Sequence, residues 1–171
     1  LLIHHHQMSI REGKPGAADR LMDALLGHHG VPSWNNGVLY AHSHDEVGNS
    51  GEWLGRGAAG TKADEGVLSE LPRAKARTGA ALTLLGPGVP MLWQGEEFLA
   101  NNDFKHGLTT TWGQDTKWLE GTDEEKATAV SQSRKGHHRL YRDPINLRKT
   151  SDAFLPGAPI SRVLTHNDDR V

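Results

Sequence analysis

The residues best equipped for chemistry lie in one block, His42-Ser43-His44-Asp45-Glu46, directly after the apolar run Val38-Leu39-Tyr40-Ala41. In an extended chain alternate side chains share a face, so His42, His44 and Glu46 would project together and Asp45 oppositely. If the strand ends near Ser43 the alternation lapses, and His44 and Asp45 then point into one cleft from a turn. Two chemistries suit the block. A His-x-His pair with neighbouring carboxylates begins a metal site, and His42 with His44 would centre a small metal-dependent hydrolase. The further ligands it needs, among His28, His29 and His106, have no diagnostic spacing to the pair. A carboxylate beside an imidazole also suits carbohydrate, where it hydrogen-bonds vicinal hydroxyls and offsets oxocarbenium charge. Five of the ten aromatic residues are Trp, and Trp34, Trp53, Trp93 and Trp112 fall in or beside polar loops. They offer stacking faces, although each taken singly is more often a packing residue.

The elements that must position this block follow from hydrophobic spacing. Ala17 to His29 carries Leu21, Leu25 and Met22, Leu26 at four-residue intervals and reads as an amphipathic helix. A short strand over residues 38–41 then leads into the polar block, and Gly48 to Gly66 reads as a long exposed loop. Pro72 to Leu85 looks helical, with Gly86-Pro87-Gly88 as its stop and Arg73, Lys75 and Arg77 as a solvated basic face. Val89 to Trp93 is a second short apolar run that ends, like the first, on a polar tip, here Gln94-Gly95-Glu96-Glu97. The repeated pattern predicts parallel strands with helical crossovers and function at the carboxyl ends of the strands. Residues 99–132 read as loop and Ser133 to Lys149 as a helix in which Pro144 forces a bend or a new start. Ile160 to Val171 alternates loosely about a hairpin turn at Asn167-Asp168-Asp169.

Composition narrows the function classes. Lys and Arg number 19 against 21 Asp and Glu, a net charge of −2, which leaves no broad basic footprint for nucleic acid or anionic membrane. No apolar run reaches the ~18 residues of a membrane span. The absence of cysteine excludes disulfide frameworks, thiolate zinc sites and cysteine nucleophiles, and leaves the compartment open. Leu, Ile, Val and Phe make up about one fifth of the chain, which predicts a thin core. Leu1-Leu2-Ile3 resembles a short buried strand, and the lack of an initiator Met or signal-peptide pattern reads as a cut end.

Tyr40 to Asn49 resembles the fourth signature region of the α-amylase superfamily (glycoside hydrolase family 13, with its bacterial branching-enzyme-like members), an aromatic or apolar strand ending in His-Asp. Pro87-Gly88-Val89-Pro90-Met91-Leu92-Trp93-Gln94-Gly95-Glu96-Glu97-Phe98 is similar to that family's strand-eight motif. Leu140 to Arg148 is similar to its last barrel helix, where an apolar residue is more usual than Pro144. His-Asp alone is weak, but followed at this distance by the Gly-x-Pro-Met-Leu motif it becomes a fairly specific pair.

The resemblance implies an α/β fold: a partial (β/α)8 barrel of about the last two to three βα units over residues 1–150, with 151–171 opening a C-terminal β-sandwich domain. It implies a glycoside hydrolase or glucanotransferase acting on α-1,4-glucans with retention. Asp45 would stabilise the transition state, His44 would bind sugar hydroxyls, Trp93 and Gln94 would approach substrate, and Gly95 and Glu97 would be architectural. The family's nucleophilic Asp and general-acid Glu belong to strands four and five, and neither motif is present. A retaining glycosidase needs two carboxyl groups about 5 to 5.5 Å apart flanking the bond, and Asp45 corresponds to neither. A closed barrel takes about 250 residues, so the chain reads as a fragment whose unpaired strand edges favour self-association. A non-catalytic sugar-binding or interaction module is therefore the rival expectation. No cofactor is expected; calcium occurs in relatives, but its usual ligands lie largely outside the matched motifs and it is not assigned.

Overall fold

The computed structural model describes residues 37–49, 53–54, 67–100, 116–155 and 158. Two strands, β1 (Val38–Leu39) and β2 (Val89–Pro90), are joined through a π-helical turn (His44–Asn49) and helix α1 (Glu70–Leu85). After β2 come a 3-10 turn (Glu96–Phe98), short helices α2 (Lys117–Glu120) and α3 (Asp123–Ala127), long helix α4 (Ala129–Thr150) and a second 3-10 turn (Asp152–Phe154).

The strands pair in parallel, Val38 against Val89 and Leu39 against Pro90, across the helical crossover that the repeated pattern predicts. The expected partial barrel with a following β domain is not what the described residues form. The described residues are mostly helical, and their sheet has two strands of two residues each. Proline explains part of this. Val89 N–H donates to Gly37 O at 2.9 Å and Met91 N–H to Leu39 O at 2.8 Å, so residue 90 faces away from β1. Pro90 has no N–H to offer there, so the outer edge of β2 has one ladder donor fewer. Val38 and Val89 are also about half exposed, so neither strand has the two covered faces of a barrel strand.

Helix α1 buries Ala76, Gly79, Ala80, Thr83 and Leu84, one stripe at three- and four-residue spacing. Gly79 lies on that stripe because Leu54 approaches it: a Cβ there would stand 2.5 Å from Leu54 Cδ1. The expected solvated basic face holds for Arg77, which pairs with the exposed Glu70; Arg73 pairs with Glu70 too but is partly buried and donates to Ser133 Oγ of α4 at 3.2 Å.

The stretch 99–132, expected as loop, contains α2, α3 and the start of α4. Local capping accounts for the short α3: Thr122 Oγ1 accepts from Glu125 N–H at 3.3 Å while the Glu125 carboxylate accepts from Thr122 N–H at 2.9 Å. Helix α4 runs continuously through Pro144, so the proline does not start a new helix. Tertiary packing offsets the proline's local cost. Tyr141 is buried with Ala80 and Leu84 of α1, flanked by Leu140 and Ile145.

Beyond the proline, Arg148 donates to Leu84 O and Gly86 O, both at 3.0 Å, and to Gly88 O at 2.7 Å. It thereby caps the C-terminus of α1 with a cation, where orphan carbonyls and the helix dipole favour one. Its guanidinium also lies 5.0 Å over the Phe154 ring.

Residues 152–154 form a 3-10 turn where a β domain was expected to begin. The expected helix over 17–29, the Leu1-Leu2-Ile3 strand, most of the Gly48 to Gly66 loop and the hairpin over 160–171 lie outside the described residues. No described helix is long and apolar enough to cross a membrane.

Candidate functional site

The strand-end block divides at Ser43. His42 is buried and His44 is exposed, so the two histidines do not share a face. The extended chain stops before the block is complete, and the π-helical turn sets its own directions. Val47, fully buried in a cluster with Trp53, Phe98, Ala100 and Trp118, anchors this turn from below. Ser43 fixes its start: the hydroxyl accepts from Asp45 N–H at 3.2 Å and donates to the Glu46 carboxylate.

His44 and Asp45 project outward, their side chains 77% and 67% exposed, with Nε2 and Oδ1 3.2 Å apart. The alternation lapses after Ser43, as one alternative expected, but the two side chains stand in solvent and do not point into a cleft together. The Tyr40 phenol is held above its ordinary value, first by burial and then by the negative charges of Glu46 and Asp45. An aromatic hydroxyl and two carboxylates thus neighbour one another at the carboxyl end of β1.

Beneath them His42 works as a strut. Its Nε2 accepts from Leu54 N–H at 2.9 Å, which makes the imidazole the neutral Nδ1–H tautomer, and Nδ1–H donates to Glu96 Oε2 at 2.7 Å. Both ring nitrogens are engaged, and His42 with His44 cannot chelate a metal as they stand. Among the described residues no group of three or more His, Asp or Glu is placed to hold a metal ion.

Glu96 is 2% exposed, and its second oxygen has no hydrogen-bond partner among the described residues. Burial pushes its carboxyl above the ordinary carboxylate range against the lowering effect of the His42 hydrogen bond. The junction is completed from α4. His137 is buried, and its pKa is pushed down to about 4, chiefly by burial and then by the Arg77 charge. The ring of Tyr141 lies 5.4 Å from that of His137, and burial, then the Glu96 and Glu97 charges, push its phenol far up.

Of the residues expected at the end of β2, Gly95 has φ of +96°, and a Cβ would meet that of Ala100 at 2.7 Å, so only glycine suits the turn. Glu97 accepts from Gly95 N–H at 2.9 Å and is half-buried. It secures its own turn, whereas the long-range tie belongs to Glu96. Sequence reasoning gave neither Glu96 nor His137 a role; the adjacent pair Glu96-Glu97 carries no signal for which carboxylate turns inward.

Trp93 and Gln94 line an open cleft of about 440 Å³ between the end of β2 and α4. Trp93 also packs against the aromatic cluster, in which Trp53 is a core residue. Asp45 and His44 do not line this cleft. Trp34 and Trp112 lie outside the described residues. No protein-family model, curated protein or solved structure matches the chain.

Proposed function

We propose that the chain engages α-1,4-glucans through the strand-end turn, with Asp45 and His44 as its sugar-facing groups and with Trp93 and Gln94 at the neighbouring strand end. The observation that carries the reading is the placement of His44 and Asp45 side by side in solvent on a turn pinned from below by His42 and Glu96. An exposed carboxylate and imidazole in contact, on a rigid support, suit adjacent hydroxyls of a sugar ring. The resemblance of residues 40–49 and 87–98 to α-amylase-superfamily motifs supports the glucan class. The proposal requires the turn and the paired strand ends, and no barrel.

In a retaining glycosyl transfer, Asp45 would offset positive charge at the anomeric centre, while a nucleophile and an acid carboxyl act on opposite sides of the bond. This sequence carries neither of those motifs. The expected behaviour of the chain is glucan binding without turnover. Calorimetric titration with maltoheptaose, alongside reducing-sugar release from soluble starch, tests this directly. Binding that weakens at least tenfold in Asp45→Asn, with no sugar released, is the expected result. Equal binding by wild type and variant would overturn the role of Asp45, and no binding by either would overturn the reading.

A further inference from the structure

Charge on the helical side of the molecule is sorted by sign. Helix α4 buries His137 and Tyr141 and leaves Lys135, Arg139, Arg142 and Lys149 exposed. Their spacing puts all four on one side of the helix, in a basic stripe about 21 Å long. Lys135, Arg139 and Lys149 have no ion-pair partner among the described residues, and Arg142 pairs with its neighbour Asp143. Gly136 lies beside the stripe, and a Cβ there would meet nothing within 4 Å. A glycine weakens a helix interior, and no described neighbour requires one at this position. It leaves the helix backbone open to close approach beside Lys135 and Arg139.

The opposite sign collects just before this helix. Glu120 ends α2, and Asp123 and Glu124 open α3; all three are exposed, with no ion-pair partner among the described residues. Of the nearby cations, Lys117 is held by Glu125 at 2.6 Å, and Lys126 forms no ion pair with the three acids. Leu119 is exposed beside Glu120, and Leu147 is exposed beside the stripe on α4. Each patch thus sets an apolar side chain among its charges.

The presence of both signs on one chain decides the partner. A polyanion would gain at the stripe but would face the acids, and a net charge of −2 adds no attraction at a distance. A second copy supplies the complement of both patches at once. We propose that the corner formed by α2 and α3 of one copy docks on the α4 stripe of another, with Glu120, Asp123 and Glu124 against Lys135, Arg139 and Arg142. Two such contacts related by a two-fold axis close a dimer in which every patch is used. The contact is made by helices, not by the strand edges at which self-association was expected, and it shares no residue with the strand-end pair, Trp93 or Gln94.

Sedimentation velocity of the full chain tests this with two charge-reversed variants, Lys135→Glu with Arg139→Glu, and Glu120→Lys with Glu124→Lys. All four positions are exposed, and circular dichroism and urea unfolding check that each variant is folded. The wild type is expected to dimerise at about 20 mM salt and to dissociate by about 500 mM, because screening shortens the reach of exposed charges. Each variant alone should associate at least about tenfold more weakly, since its two patches then carry the same sign. Mixed in equal amounts, the two variants should recover the association of the wild type, because each presents the sign that the other's patches need. A wild type that stays monomeric at low salt, association that survives either reversal, or a mixture that stays monomeric would overturn the interface.

Discussion

His42 and His44 are two residues apart in sequence and occupy opposite regions of the molecule. The first lies in a buried junction with Glu96, His137 and Tyr141, where its two hydrogen bonds reach Leu54 and Glu96. The second stands in solvent beside Asp45, on a turn that Val47 anchors from below. Polar density in a sequence therefore mixes two kinds of residue: those that hold a turn in place and those that the turn presents. The junction bears on stability and the tip on ligand, and substitutions should separate the two.

The largest expected effect is at the junction. Glu96→Ala leaves the His42 Nδ1–H buried without an acceptor and opens a cavity, which should cost about 4 kcal/mol, measured by urea unfolding. Glu96→Gln keeps an acceptor and should cost about 1 kcal/mol. A small and equal cost for both would erase the contrast between the two regions.

The acid limb of stability comes next. His137 titrates near 4 in the folded chain against an ordinary 6.5, so the fold favours its neutral form. That contribution is complete above pH 6.5 and is lost as pH falls toward 4, for about 3 kcal/mol in all. Glu96 acts in the opposite sense: its raised carboxyl favours the fold at low pH, and that contribution is lost as pH rises through the folded value. His137→Phe should flatten the net dependence between pH 6.5 and 4, followed by unfolding midpoints at each pH. An unchanged slope would place the acid sensitivity elsewhere.

Gly95 joins the junction to the cleft, and its smaller effect sharpens the comparison. Gly95→Ala should cost about 2 kcal/mol through its left-handed backbone and the close approach to Ala100. Asp45→Asn should change stability by less than about 0.5 kcal/mol, as for other exposed sites, while weakening glucan binding. A stability loss at Asp45 as large as at Glu96 would mean that the tip is itself a strut.

Local signals were legible in the sequence where one residue type carries one physical consequence. Pro72, the apolar spacing to Leu85 and the glycine stop marked α1, and the repeated helix and strand pattern marked the parallel pairing of residues 38–39 with 89–90. The polar tips at both strand ends were legible for the same reason. The barrel was not, because motif resemblance says nothing of how many strands join a sheet. Helix α2 is a single turn, and α3 is short and polar, held by the Thr122 and Glu125 capping pair rather than by an apolar stripe, so periodicity missed both. The inward turn of Glu96 depends on the left-handed Gly95, a backbone choice that the neighbouring Glu97 does not reveal.

Arg148 gathers three carbonyls from residues 84, 86 and 88, between 60 and 64 positions earlier in the chain. Closing a loop of that length costs roughly 4 kcal/mol of chain entropy before any contact is gained. Helices α1 and α4 have local hydrogen bonds and can form early, but the grip of one on the end of the other must await a long-range encounter. The guanidinium latch thus belongs to the late part of folding, and it ties the release of α4 to the loosening of the strand that α1 feeds.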